Sequence, residues 1–335
     1  MSFLLDPAIL FFVLGLAAGF LRSNLAIPPD VSRFLSLYLM MALGLKGGFA
    51  LAAVDLAPDV VISPGCAIAL ALVIPVASYF VLRRVVGAYD AVAIAATHGS
   101  VSAVTFITAV QYLEMHGVPY GGHMAAALAL MESPAIVIAM VTANFLRMRA
   151  SADGAAGRAA ASAGFDKSNA PGLHIGRVLA ESLTDGAPLL LLGSMLVGWL
   201  SGESGRVAMQ PFSGDLFKGM LAFFLLDMGL LSARNVGQLR GRSPGLLAYA
   251  GVAPPLHGAL ALCVAYAVGM SVGNAALLTV LAASASYIAV PAMLCHALPE
   301  ANAALYSGLS LGLTFPFNIL VGIPLYVAPA KRFLA

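Results

Sequence analysis

The sequence predicts an all-α integral membrane protein with ten transmembrane helices in a 5+5 inverted repeat, helices four and nine being broken at their centres and crossed. Three observations carry this. The 335 residues are 61% hydrophobic and only 10% charged, whereas about 25% of a soluble globular domain is charged. Ten apolar runs approach the roughly 20 residues that one span requires. Two of these runs, one in each half, are interrupted at the middle by small and hydroxyl-bearing residues.

In chain order the first five runs fall at about Pro7 to Leu21, Phe34 to Val54, Gly65 to Leu82, Asp90 to Tyr112 and His123 to Leu146. Arg147 to Arg177 follows, rich in Ala, Gly, Ser and charge and without an apolar stripe, and reads as an aqueous linker. Five more runs lie at about Ala187 to Leu200, Phe217 to Leu231, Leu246 to Met270, Gly273 to Leu294 and Ala303 to Val327. This divides the chain into a first repeat at about 1–149, a linker at 150–177 and a second repeat at 178–335.

The halves match weakly but in order. MALGLKGG (Met41 to Gly48) aligns with LDMGLLSA (Leu226 to Ala233), HGSVSAV (His98 to Val104) with SASYIAV (Ser284 to Val290), and MESPAIVI (Met131 to Ile138) with LTFPFNIL (Leu313 to Leu320). An odd number of spans per repeat inverts the second half across the bilayer. With the N-terminus outside, one face receives Arg22, Arg33, Arg83, Arg84, Arg147, Arg149, Arg158, Lys167, Arg177, Arg234, Arg240 and Arg242. The other receives Lys46, Arg206, Lys218, Lys331 and Arg332. The positive-inside rule therefore places both termini outside the cytoplasm and the linker within it.

The net charge of +2 comes from basic residues at segment ends, so it reports orientation and offers no basic patch to a nucleic acid. Cys66, Cys263 and Cys295 are odd in number and lie in apolar runs, so buried packing is expected and a disulfide framework is not. The first apolar run lacks a basic flank and reads as a retained span. HExxH, a Walker glycine loop and a zinc-spaced cysteine pair are all missing from the sequence, and the chain does not read as an enzyme. His98 and Ser102, four residues apart, formally permit a nucleophile with a base, but no supporting carboxylate lies nearby in sequence.

Paired, centrally broken spans point to a transporter binding site. A break leaves backbone N–H and C=O groups without helical partners, a cost of several kcal/mol each in hydrocarbon, so protein, water or ligand must satisfy them. A half-helix N-terminus offers N–H donors and partial positive charge to an anion. Gly99 permits close approach, and Ser100, Ser102 and Thr105 add hydroxyls, so the ligand expected is a small anion. The same small residues also serve helix packing. His98 is either a proton site or a neutral packing residue. Glu132, beside Ser133 and Pro134, is costly inside a span, and its repeat partner Thr314 stands beside Pro316. Oxygen ligands of this kind suit a hard cation, although the carboxylate is equally able to carry a proton. Asp227 reads as an interhelical or subunit contact. Asp90, Lys46 and Lys218 lie near predicted ends, where snorkelling accounts for them.

The segments MALGLKGGFAL, HGSVSAVTF, LMESPAIVIAMVTANFL, ESLTDGAPLLLLGSMLVG, GDLFKGM, NVGQLR, APPLHGALA, LAASASYIAVPA, LPEANAALYSGLSLG and TFPFNILVGIPLY, taken in order, resemble the sodium-dependent bicarbonate transporters first described in cyanobacteria. The resemblance implies a homotrimer in the bacterial inner membrane and elevator-like symport of bicarbonate with sodium ion, without an organic cofactor. It implies a core domain (about 64–147 and 245–328) moving against a scaffold (about 1–55 and 183–235). The substrate positions it implies are Gly99, Ser100, Val101, Ser102, Thr105, Ser284, Ser286, Tyr287, Ile288 and Ala289. For the cation, Glu132 stands where the cyanobacterial pattern has an aspartate. Two positions depart from that pattern, which has an aspartate at Tyr287 and a glycine at Val290. Cyanobacterial members also bind an inhibitory PII-like protein, but the linker here carries no strong acidic or basic run. A proton-coupled organic-anion carrier and a non-transporting anion sensor are the alternatives.

Overall fold

The computed structural model describes residues 5–52, 59–156, 186–239 and 241–334. Among these residues the structure is helical and contains no strand. Seven helical runs are long and apolar enough to cross a membrane, accompanied by two shorter apolar helices, Pro7–Phe20 and Val272–Ala283. In chain order the elements are α1 (Pro7–Phe20), α2 (Pro29–Ala52), α3 (Asp59–Leu82), α4 (Ala88–Gly99), α5 (Ala103–Met115) and α6 (Met124–Ala156). They continue with α7 (Gly186–Gln210), α8 (Phe217–Val236), α9 (Pro244–Ala267), α10 (Val272–Ala283) and α11 (Ala289–Ala297). The last run, α12 (Ala303–Leu334), contains π turns at Ser310–Thr314 and Asn318–Gly322. α6 continues past the boundary expected at residue 149. The rest of the expected linker, with any regulatory surface on it, lies outside the described residues.

Local chemistry sets the helix starts. Asp6 Oδ1 accepts the Ala8 N–H at 2.9 Å ahead of Pro7, whose missing N–H costs nothing at a first helical position. Asn302 caps α12 by accepting from Ala304 N at 3.1 Å, and its own N–H donates to Asp90 Oδ1 at 2.8 Å. Asp90, expected only to snorkel, thus ties the start of α4 to the start of α12. Lys46 likewise does more than snorkel, since its ammonium lies 3.1 Å from Glu114 Oε1 and over the Phe217 ring.

Packing is reciprocal between the halves. α1 lies along α8 and α2 along α7. Lipid tails supply no hydrophobic drive between helices, so close backbone contact must do the work. A Cβ at Gly15 would meet Leu226 O at 2.2 Å, and one at Gly48 would meet Met195 O at 2.1 Å. Elsewhere α3 packs on α4 and α6, and α9 on α10.

Burial then separates the elements. In the most apolar stretch of Ala88–Met115, which holds α4 and α5, 94% of residues are buried, against 33% for Val60–Leu82 and 28% for Pro244–Ala267. α3 and α9 therefore present apolar side chains outward, while α4 and α5 are enclosed by protein, the setting in which non-helical backbone is tolerated at membrane depth. The cysteines follow this pattern against expectation. Cys263 and Cys295 are exposed and Cys66 is half-buried, all three as free thiols. In a helix whose outer face meets hydrocarbon, apolar character does not predict burial.

Candidate functional site

The two breaks meet. α4 ends at Gly99, and Ser100 (φ −103°, ψ −176°) and Ser102 (φ −111°, ψ 112°) are extended before α5 begins. α10 ends at Ala283, with Ser284 extended (φ −82°, ψ 170°), and α11 begins at Ala289. The Ser102 N–H donates to Ser284 Oγ at 2.9 Å, and the Ser286 N–H donates to Thr97 O at 2.8 Å. Each break thereby satisfies a backbone or side-chain group of the other.

The remaining helix ends are capped locally or by α12. Ser102 Oγ accepts from Thr105 N at 3.2 Å and from Thr105 Oγ1 at 2.9 Å. Ser286 Oγ accepts from Val290 N at 3.2 Å, taking the capping role that Ile288, preceding α11, has no side-chain oxygen to perform. Asn318 Nδ2 donates to Ala283 O at 2.8 Å, and Asn318 Oδ1 accepts from Tyr326 OH at 2.9 Å. Asn318 is fully buried. Sequence reasoning passed over it, although an amide in the middle of the apolar run TFPFNIL was a signal that could have found it.

Beside the breaks lies a cavity of about 510 Å3, whose walls include Val101, Ser102, Glu132, Ser286, Tyr287, Ile288 and Ala289. Seven of the residues singled out from sequence are thus brought to one space. The others stand behind it. Ser100 Oγ donates to Glu132 O at 3.4 Å, linking the first break to α6, while Thr105 and Ser284 are buried on Ser102. Gly99 lies against α3, where a Cβ would fall 2.6 Å from Pro75 Cβ. Its lack of a side chain is therefore a packing requirement.

A model of the Na+-dependent bicarbonate transporter superfamily matches residues 7–331. The chain belongs to that superfamily. No curated protein matches it. Membership makes the chain a transporter-family protein and not an enzyme, and the apolar helices fit a multi-pass protein of the lipid bilayer.

For this superfamily member the polar groups of the cavity decide what it can hold. The first N–H groups of α5 and α11, from Ala103, Val104 and Ala289, have no acceptor within their helices, and these three residues line the cavity. Arg33 and Ser36 of α2 also line it. Sequence reading used Arg33 only to orient the chain, because nothing local says which wall a helix-end arginine faces. Glu132 adds a carboxylate to the same wall. Of its two expected companions, Ser133 is buried, and the Thr314 hydroxyl donates to Ala250 O at 3.1 Å and lies 3.0 Å from His98 Nε2. His98 is pinned at its other nitrogen by Ile94 O at 3.0 Å and packs edge-on against Tyr249. The Tyr287 ring, on the cavity wall, packs at a tilt against Phe315, 4.9 Å between centroids, and Phe315 meets Phe12 of α1 at 5.6 Å.

Proposed function

We propose that this protein is a secondary active transporter that takes up bicarbonate or a similar small anion together with sodium, by elevator-like movement of a core against a scaffold. The observation that carries the reading is the interlock of the two breaks, Ser102 N–H to Ser284 Oγ and Ser286 N–H to Thr97 O, at the edge of a cavity holding both helix N-termini and the Glu132 carboxylate. An anion is held by the first N–H groups of α5 and α11 and by the hydroxyls of Ser102 and Ser286, whose own N–H groups are taken by the interlock. A sodium ion near Glu132, with Ser133 and Thr314 as further oxygen donors, lowers the electrostatic cost of placing that anion, so each ion favours binding of the other.

Ten spans in a 5+5 inverted repeat belong to the same reading. The run Leu189–Val236 is 48 residues long, about 72 Å of helix against a hydrocarbon thickness of about 30 Å. It is interrupted at Gly202, whose φ of 56° is open to glycine at little cost. Two spans suit it better than one. α3 and α9 are each 24 residues long, α4 and α10 each 12, and α1 and α2 pack reciprocally on α8 and α7. These features support the repeat, with α1, α2, α7 and α8 as scaffold and the rest as core. With both termini outside, the exposed residues Arg33 and Ile288 mark a cavity mouth on the cytoplasmic side. The homotrimer and bacterial inner membrane implied by the resemblance complete the reading.

Bicarbonate uptake into proteoliposomes tests it. Uptake that rises with an inward sodium gradient is expected. Flux that ignores sodium and follows the proton gradient removes the coupling claim, and tight binding without flux makes the protein a sensor.

One observation favours proton coupling as a second reading. His98 has an oxygen at each ring nitrogen, Ile94 O and Thr314 Oγ1, and the Thr314 hydroxyl passes its own hydrogen to Ala250 O. A doubly protonated ring would have both N–H groups satisfied. His98→Gln separates the readings, since it alters the pH profile of uptake only if the ring carries a proton during transport.

A further inference from the structure

Resting on the proposed anion site, we infer that the same cavity accepts short aliphatic monocarboxylates and binds them more tightly than bicarbonate. Bicarbonate and a carboxylate share a planar O–C–O head with one negative charge, so the helix N-termini, Ser102 and Ser286 serve both. They differ in what lies behind the head. Much of the wall is hydrocarbon, contributed by Leu39, Val104, Ile107, Leu128, Leu191 and Phe224, all of them buried. These come from α2, α5, α6, α7 and α8, so the apolar wall surrounds the space from several sides.

A bicarbonate ion carries oxygen in every direction. Any oxygen turned toward Ile107 or Phe224 gives up its water without a replacement partner. Bicarbonate therefore gains nothing from this wall, and with water taking about 30 Å3 a molecule the 510 Å3 space would hold mainly water against carbon. An alkyl tail removes that apolar surface from water, and each buried methylene tightens binding about fourfold. The volume also lies within the range of about 300–1,000 Å3 common for organic-ligand sites, which are mostly apolar with a few placed polar groups. Arg33, exposed at the mouth, supplies the positive field that draws either anion inward.

The test is a ligand series on the purified full chain: bicarbonate, formate, acetate, propionate and butyrate, with propanol and butanol as uncharged controls. Affinity is read from thermal stabilisation and from competition with bicarbonate uptake in proteoliposomes. Affinity rising about fourfold per methylene, with butyrate above bicarbonate and the alcohols inactive, is expected. Ile107→Thr should flatten the slope. A flat or falling series with bicarbonate still bound overturns the inference and leaves the proposed function standing. Alcohols as effective as the acids also overturn it, because the gain is then unspecific partitioning. Failure of every anion to bind removes the proposed site itself. The wild-type series decides the matter even if the variant does not fold.

Discussion

The Ser102 backbone N–H and the Ser284 hydroxyl, 182 residues apart in sequence, are joined by a 2.9 Å hydrogen bond where the two broken segments meet. Both residues are buried, so the bond has no ready substitute. Ser284→Ala leaves a buried N–H without an acceptor, a cost of about 1–3 kcal/mol. A lower melting temperature in detergent and weaker anion binding are expected, with both largely restored in Ser284→Thr. Ser102→Ala keeps that bond and loses the cavity hydroxyl, so it should weaken anion binding more than Asp227→Asn does. The opposite ranking would move the site elsewhere.

Gly99 reports packing against Pro75. A methyl group there falls 2.6 to 2.8 Å from three Pro75 ring atoms, an overpacking expected to cost about 1–3 kcal/mol. Gly99→Ala should lower the melting temperature, and Pro75→Ala in the same chain should recover part of the loss. If the double variant recovers nothing, contact with Pro75 is not why glycine stands there.

Glu132 is the only acidic residue on the cavity wall among the described residues. Glu132→Gln keeps the shape and removes the charge. The sodium concentration for half-maximal uptake should rise on the order of tenfold, the scale of one lost charge-assisted contact. Unchanged sodium dependence would take the cation away from α6.

The Lys46–Glu114 bridge joins α2 to α5. It lies about 20 Å along α2 from Arg33 at 1.5 Å per residue, and Gly47 and Gly122 close the same end by backbone contact. On the proposed division this end seals scaffold to core while the Arg33 end is open. Lys46→Met should therefore weaken the inward-open state, by no more than the ~1 kcal/mol of a partly exposed pair. Labelling of Ser36→Cys from the cytoplasmic side, in a chain lacking the three native cysteines, should slow by up to about fivefold. Faster labelling would reverse the assignment.

The Arg147 guanidinium donates to both carboxylate oxygens of Glu300, from Nε at 2.8 Å and from Nη2 at 2.7 Å. This hydrogen-bonded pairing holds the Glu300 carboxyl below its usual range. Because the folded value is the lower one, the bridge stabilises fully above the ordinary glutamate pKa of about 4.3 and is lost as pH falls through the folded value. Melting temperatures of wild type and Glu300→Gln should differ at neutral pH and converge in acid below pH ~4. A constant gap would show that the bridge contributes nothing to pH dependence.

The positions of both breaks were legible because a backbone interrupted in hydrocarbon needs small and hydroxyl-bearing residues around it, and HGSVS and SASY supply them. Glu132 stood out for a similar reason, an acid being costly in an apolar run, and the structure puts it on the cavity wall. Asn318 and Arg33 were missed. Asn318 acts on Ala283 O across 35 residues, and Arg33 meets the cavity only because α2 packs beside the breaks. Lys46 and Asp90 looked like snorkelling ends because their partners, Glu114 and Asn302, lie 68 and 212 residues away.

By itself the sequence determined the membrane class, the helical runs and the two places where helix must stop, since composition and backbone desolvation act locally. Only the tertiary structure decided which groups satisfy those stops, that Gly99 answers to Pro75, and which walls enclose the cavity. The physical reason is that in a membrane both faces of a helix are apolar. A hydrophobic pattern therefore does not separate the face that meets lipid from the face that meets protein, and the partners are chosen by packing between distant helices.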